Sequence, residues 1–356
     1  RMKKIRVAII AGGRSSEHPI SCISASGVLA AIDRSKFEPI LFGITQSGTW
    51  IDMRQSDFER GSDGLSYVPE GGEKLIVDIH GIKDSKGIDL GIEIAFPLLH
   101  GAYGEDGTIQ GLFEMAGIAY VGSGVLASAV AMDKSFAKPI YADFGLKVAD
   151  GITVHRDNWN KSKDLEIAKI RALGFPIFIK PARSGSSRGT SKVKDESEIS
   201  AALDDAFNYD PRVLVEAAVV GREIECAVLE IDSIATASVL GEVRVHPPHE
   251  FYDFEAKYLD GSTTFDIPAN LAEPIASAIS QAAITAFEAL GCEGLARVDF
   301  FLSEDNQIII NELNTMPGFT PTSVFPALWE KTGRSYSQII TILLDSALSR
   351  QRNVIR

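Results

Sequence analysis

Apolar and polar positions change period from segment to segment, and those changes mark the elements of the chain. Residues 5–11 form a short apolar run closed by Gly12 and Gly13, which reads as a buried strand ending in a turn. Helical spacing follows over 20–32 and strand character over 39–44, so the chain opens as a βαβ unit of an α/β domain. A Gly- and Asp-rich zone over 56–74 reads as loops. The segment IEIAFPLLHG then reads as a strand with His100 at its carboxyl end, where ligands of such sheets gather. One helix is predicted over 125–144, then a strand in FPIFIKP and further strands with an acidic face in RVLVEAAVVGREIECAVLEI. Over 271–290, Ile275, Ile279, Ala283, Phe287 and Leu290 share one helical face, with Gly291 as the cap. HPPHEFYDFEAKYLDGSTTF is long, aromatic and flanked by proline, and reads as an ordered or closing loop.

The segment ARVDFFLSEDNQIIINELNTMPGFT, beginning at Ala296, has the pattern of a hairpin with polar residues inside its strands. A two-residue turn at Asp305 and Asn306 would set Asp299 opposite Glu312 and Arg297 opposite Asn314. Period-two alternation then places those four on one face, with Val298, Phe300 and Asn311 on the other. Opposed carboxylates repel unless a cation intervenes. Two readings therefore stand. Arg297 neutralises a salt-bridged patch on a solvated face, or two carboxylates and an amide oxygen hold a hard cation such as Mg²⁺. The second reading requires phosphate-binding residues elsewhere.

At 356 residues the chain exceeds what one core usually serves, so two or three domains are expected. Its net charge of -13 disfavours nucleic-acid and anionic-membrane partners. Cys22, Cys226 and Cys292 are odd in number and far apart, which argues for a reducing compartment and against zinc or a disulfide framework. The lysine-led apolar start is short, is broken by Arg6 and runs into glycines, so it reads as a strand and not a leader. No run approaches the roughly 18 apolar residues of a membrane span. A soluble, cytoplasmic protein is expected.

Several short motifs carry candidate chemistry. In KPARSGSSRG, Gly185, Ser186, Ser187 and Gly189 let backbone N–H groups approach an anion while Lys180 adds charge; a flexible connection is the plain alternative. The Walker pattern is absent, and Gly12 and Gly13 lack the dinucleotide fingerprint. Glu17 either complements a helix dipole or binds an ammonium group. His100 in HGAYGEDGTIQG, Lys134 in MDKSFAK and the acids of 216–223 each fit a site or a surface when taken singly.

Taken together, HGAYGEDGTIQG, AMDKSFAK, KPARSGSSRG, VEAAVVGREIECAVL, EFYDFEAKY, ARVDFF and NELNTMPGFTPTS, in this order over nearly the whole chain, closely resemble the D-alanine:D-alanine ligases of the ATP-grasp superfamily. The resemblance implies an α/β (in part α+β) fold of three domains: a Rossmann-like N-terminal domain over 1–122 with the first D-alanine site, a central ATP-grasp domain over 123–216, and a C-terminal one over 217–356. It implies ATP-dependent joining of two D-alanines through an acyl phosphate for peptidoglycan precursors, with Mg²⁺ or Mn²⁺ as two ions, in a homodimer. Asp299, Glu312 and Asn314 would be the metal ligands, and Lys134 and Lys180 would contact the ATP phosphates. Glu216 would lie on the adenine side, Glu223 at the ribose, and Lys257 at the transferring phosphate. Glu17 would hold the first ammonium with His100 nearby, Arg297 and the Gly318 N–H would form the oxyanion site, and Ser323 would grip the second carboxylate. Ser186 and Tyr258, with Glu17, would latch a closing loop. Pro19, Arg188 and Phe254 depart from the family pattern. Tyr258 resembles the dipeptide-forming members; a depsipeptide ligase using D-lactate and a non-catalytic ATP-binding sensor are the alternatives.

Overall fold

The computed structural model describes residues 3–185, 187–247 and 263–350. The first apolar run is β1 (Ile5–Gly12), buried on both faces from Val7 onward as a central parallel strand must be. It pairs in parallel with β2 (Phe37–Ile44), and β3 (Trp50–Asp52) adds an antiparallel edge. The Gly- and Asp-rich zone holds two small hairpins, β4 (Glu59–Arg60) with β5 (Ser66–Tyr67) and β6 (Ile76–Asp78) with β7 (Gly81–Lys83). With β8 (Ile94–Pro97) and β9 (Ala119–Tyr120) the first sheet has the order β3-β2-β1-β8-β9. Strand order reverses between β1 and β8, which opens a crevice beyond their carboxyl ends. The helix α1 (His18–Ala31) leaves β1 there, with Pro19 in its first turn, where a missing N–H costs nothing. Before β9 comes α2 (Thr108–Ala116).

The single helix expected over 125–144 is two, α3 (Val125–Met132) and α4 (Lys134–Asp143). Asp133 breaks it: its backbone is extended, and its carboxylate accepts the Ser135 N–H at 3.1 Å as the cap of α4. A short acidic side chain competes with the helix for its own N–H groups, and here it wins. Ala127, Ala131, Ala137 and Tyr141 from these helices pack in one core with Ile224 and Val298 of the third sheet.

The second sheet is antiparallel, with β10 (Gly151–His155), β11 (Ile177–Pro181), β12 (Ser191–Val193) and β13 (Arg212–Ala217) in the order β10-β13-β11-β12. The third is also antiparallel: β14 (Arg222–Ile231), β15 (Ile234–Val245), β16 (Thr263–Asp266), β17 (Leu295–Leu302) and β18 (Ile308–Asn314) in the order β16-β15-β14-β17-β18. Behind it lies the helix Glu273–Ala289, which buries Ile279, Ala283 and Phe287 as its periodicity predicted, and Gly291 follows in the left-handed region. Two C-terminal helices, Val324–Thr332 and Tyr336–Ser349, tie this sheet to the first: Leu328, Trp329 and Leu343 share a core with Val7, Ile9 and Phe96. Where α1 meets the loop before them, Gly27 is required, because a Cβ there would lie 2.7 Å from Pro321 Cδ. The three cysteines are buried and free. Among the described residues no helix is long and apolar enough to cross a membrane.

The β17–β18 hairpin pairs Asp299 with Glu312 and Arg297 with Asn314, as expected, but by a different route. The turn has three residues, Glu304 to Asn306, with Asn306 at φ +61°, so the ladder beside it runs one residue out of the expected register. A bulge at Asn311 restores the register before Glu312. The two departures cancel for the pairing but not for Asn311. Expected on the far face, it meets Lys180 Nζ at 3.4 Å on the site side, because a bulged residue leaves strict alternation.

Candidate active site

Two cavities meet where the three sheets converge. One, of about 270 Å³, is lined by Glu17, His100, Glu105, Arg297, Asn314, Gly318 and Ser323 among others. The other, of about 320 Å³, lies between the second and third sheets and is lined by Phe178, Lys180, Glu216, Glu223, Asp299, Phe301 and Asn311. Lys134, Ser184 and Glu312 line both. A group passing from one cavity to the other passes those three side chains.

The break at Asp133 aims the start of α4 at this common wall. Lys134 donates its backbone N–H to Ala182 O at 3.0 Å and its Nζ to Ser184 O at 3.0 Å, which pins the Gly-Ser loop, and it lies 3.5 Å from Glu312. Beneath it, Lys180 contacts Glu216 at 2.6 Å, and Lys138 pairs with the other oxygen of the same carboxylate. Burial opposes charge on Glu216, but the two lysines overcome it and hold its carboxyl at about 2. Burial lowers Lys138 to about 8, against the pull of Glu216.

Arg297 forks onto Asp299 with two bonds of 2.8 Å and lies 3.4 Å from Glu225, one strand over. It therefore neutralises Asp299 and Glu225, while Lys134 serves Glu312. The face is not solvated, as the patch reading required: its polar residues line the two cavities. Asn314 Oδ1 accepts the Met316 N–H at 3.2 Å, which orients the amide and leaves a lone pair. Two carboxylates and this amide oxygen form a hard-donor set on adjacent strands, and the cations now beside them show that the wall accommodates positive charge. The residues fit a Mg²⁺-type ion. Among the described residues no group of three or more acids, histidines or cysteines forms a cation site by itself.

In the first cavity Glu17 stands at the N-cap position of α1 without a side-chain cap bond to the helix, and donates its N–H to Ser15 Oγ at 3.1 Å. His100 is 4% exposed and both its ring nitrogens are engaged. Nδ1 lies 2.9 Å from Met316 O, so it carries the proton, and Nε2 accepts from Ser24 Oγ at 3.2 Å. Burial lowers the basicity of His100, which keeps the ring neutral and makes it a strut between α1 and the loop after β18. His18 is likewise consumed by structure, bridging Gly13 O and the Val68 N–H. Glu105 accepts the Gly101 N–H at 3.0 Å, and burial, reinforced by Glu17, pushes its carboxyl up to about 8. Ser323 stands at the N-terminus of the helix Val324–Thr332, accepts the Thr320 N–H at 3.0 Å and lies beside Gly318. A helix start of that kind suits a carboxylate.

Thus Glu17, His100, Lys134, Arg297, Glu312, Asn314, Gly318 and Ser323 gather in the first cavity, and Lys180, Glu216, Glu223 and Asp299 in the second. Ser186, Lys257 and Tyr258 lie outside the described residues. The sequence reading missed Glu105, Lys138, Glu225 and Asn311. Glu105 stands inside a quoted motif, and Lys138 follows Lys134 by one helical turn, a usable signal.

The chain matches the family models described as "D-ala D-ala ligase N-terminus" over residues 6–123 and "D-ala D-ala ligase C-terminus" over residues 140–345. It is 44% identical to a D-alanine–D-alanine ligase of Streptomyces coelicolor, covering 97% of this chain and 93% of that protein. Among solved structures it resembles the VanG D-Ala:D-Ser ligase from Enterococcus faecalis, with a TM-score of 0.84 and 35% identity over 97% of this chain and all of the other. It also resembles the D-alanine-D-alanine ligase from Coxiella burnetii, with a TM-score of 0.80 and 31% identity over 97% of this chain and 94% of that one.

Proposed function

The chain belongs to the D-alanine–D-alanine ligase family, with its ATP-grasp fold, and from that premise we propose that it joins two D-alanines at the expense of ATP for peptidoglycan precursors. The observation that carries this reading is the common wall: Lys134, Ser184 and Glu312 line both cavities, so a phosphoryl group leaving one arrives at the other. ATP occupies the cleft between the second and third sheets, with its base at Glu216, its ribose at Glu223 and its phosphates at Lys134 and Lys180. D-alanine occupies the smaller cavity.

A carboxylate is a poor electrophile, so the first D-alanine attacks the γ-phosphorus, the bond to the leaving ADP oxygen breaks, and an acyl phosphate forms. Glu17 holds the ammonium of that substrate, and Lys134 stabilises the phosphoryl group in transit. The amine of the second D-alanine, its carboxylate held at Ser323, then attacks the acyl carbon. Arg297 and the Gly318 N–H receive the charge that develops on oxygen, and phosphate departs with the dipeptide formed. Mg²⁺ or Mn²⁺, as two ions held by Asp299, Glu312 and Asn314, supplies charge neutralisation of the phosphates. His100 braces the cavity without facing the ammonium; Lys257 would meet the transferring phosphate, and Ser186 and Tyr258 would form the latch with Glu17, all three outside the described residues. The division into 1–122, 123–216 and 217–356, a homodimer and a cytoplasmic location complete the proposal.

The test is ADP release with Mg-ATP and D-alanine alone, or with D-alanine plus D-serine or D-lactate, identifying products by mass. D-alanyl-D-alanine as the main product supports the proposal; a mixed product in excess, or ATP binding without turnover, overturns it.

A further inference from the structure

Lys138 lines neither cavity, yet it is a buried cation whose sole polar contact among the described residues is the carboxylate of Glu216. Glu216 is itself 4% exposed, and its second oxygen is held by Lys180 at 2.6 Å. That arrangement has more cation than the resting carboxylate needs. The surplus makes sense once a nucleotide arrives, because Lys180 is the cavity-lining member of the pair and is drawn to the phosphates. Without a second counter-ion Glu216 would then be a lone buried carboxylate, which takes up a proton and becomes a donor as readily as an acceptor.

Building on the nucleotide site proposed above, we infer that Lys138 is a positioning residue that keeps Glu216 an obligate hydrogen-bond acceptor, and thereby selects a 6-aminopurine over a 6-oxopurine nucleotide. The cleft wall around Glu216 supplies the rest of the recognition. Phe178 and Phe301 line the cleft as apolar rings suited to a flat base, and residues 217–221 line it with Glu216. An adenine amine donates to a carboxylate; the 6-oxo group of hypoxanthine or guanine presents a second acceptor to it and is repelled. Selection at this edge therefore rests on a charge that Lys138 maintains from behind. The carboxyl of Glu216, held at about 2 against its burial, agrees with that division of labour.

The experiment compares kcat/KM for Mg-ATP and Mg-ITP, which differ at position 6 of the base, in the full-length enzyme with saturating D-alanine. In Lys138→Met the ATP-over-ITP preference falls about 10- to 100-fold, the range of one charge-assisted hydrogen bond, and the loss appears in the nucleotide KM while the D-alanine KM stays unchanged. Lys138→Arg retains the preference. Lys138→Gln replaces the methionine variant should that one not fold, and added to Glu216→Gln it changes the ratio no further. A ratio within twofold of wild type in active Lys138→Met or Lys138→Gln overturns the inference while leaving the ligase reading intact. Absence of ATP turnover in the wild-type enzyme removes that reading and the inference with it.

Discussion

Glu216 and Glu105 stand on opposite sides of the common wall, nearly equally buried, in opposite protonation states at neutral pH. Two lysines hold Glu216 ionised, whereas Glu105, facing Glu17 across the same cavity, keeps its proton until about pH 8. Burial neutralises an acid left to itself, and burial beside cations fixes its charge. The cavity between the second and third sheets thus carries an ionised carboxylate at neutral pH. The other cavity sheds one negative charge at Glu105, beside Glu17.

The strongest way to test that the two sides meet at one wall is Glu312→Gln. Turnover drops to background, beyond the roughly 10²- to 10³-fold typical of losing one preorganised electrostatic group, in an ADP-release assay. Appreciable turnover would separate the cavities. Arg297→Met probes the amino-acid side alone: kcat falls about 10²- to 10³-fold while the ATP KM holds, and a matching rise in the ATP KM would show that the sides are not independent. Gly27→Val forces α1 away from Pro321, at a stability cost of about 1–3 kcal/mol by denaturant titration, and raises the KM of the second D-alanine before that of ATP.

The smallest effect belongs to Glu105. Its folded pKa lies above its ordinary value of 4.5, so the protonated form stabilises the fold below that pH, and this contribution is lost as pH climbs towards 8. The slope is at most about 1.4 kcal/mol per pH unit. Glu105→Gln removes it, so the difference in Tm between variant and wild type grows from pH 5 to pH 8. A constant difference would place Glu105 with the ionised acids.

Elements with an unbroken apolar run or one apolar helical face were legible from periodicity, as β1, whose two faces bury in two cores, and the helix Glu273–Ala289 show. The hairpin pairing came out correctly only because a longer turn and a bulge offset one another, and neither leaves a mark in the alternation of residues 308–314. The break between α3 and α4 was concealed because Asp133 acts through a cap, which a hydrophobic count ignores. Residue type singled out motifs whose side chains line the two cavities, but it could not rank the acids within them. What separates Glu105 from its neighbour Asp106 is burial, and Lys138 meets its partner only on a strand almost eighty residues away.

The bulge at Asn311 also changes how crowded one edge of a sheet can be. A regular strand delivers one side chain to a given face about every 6.8 Å, two residues of rise. Here Asn311, Glu312 and Asn314 serve the site from four consecutive positions, giving a functional-group density that strict alternation forbids. Excising Asn311 would leave Glu312 opposite Asp299 and Asn314 opposite Arg297 while thinning that edge by one group, so the extra residue is an increment in chemical resolution laid over a complete ladder.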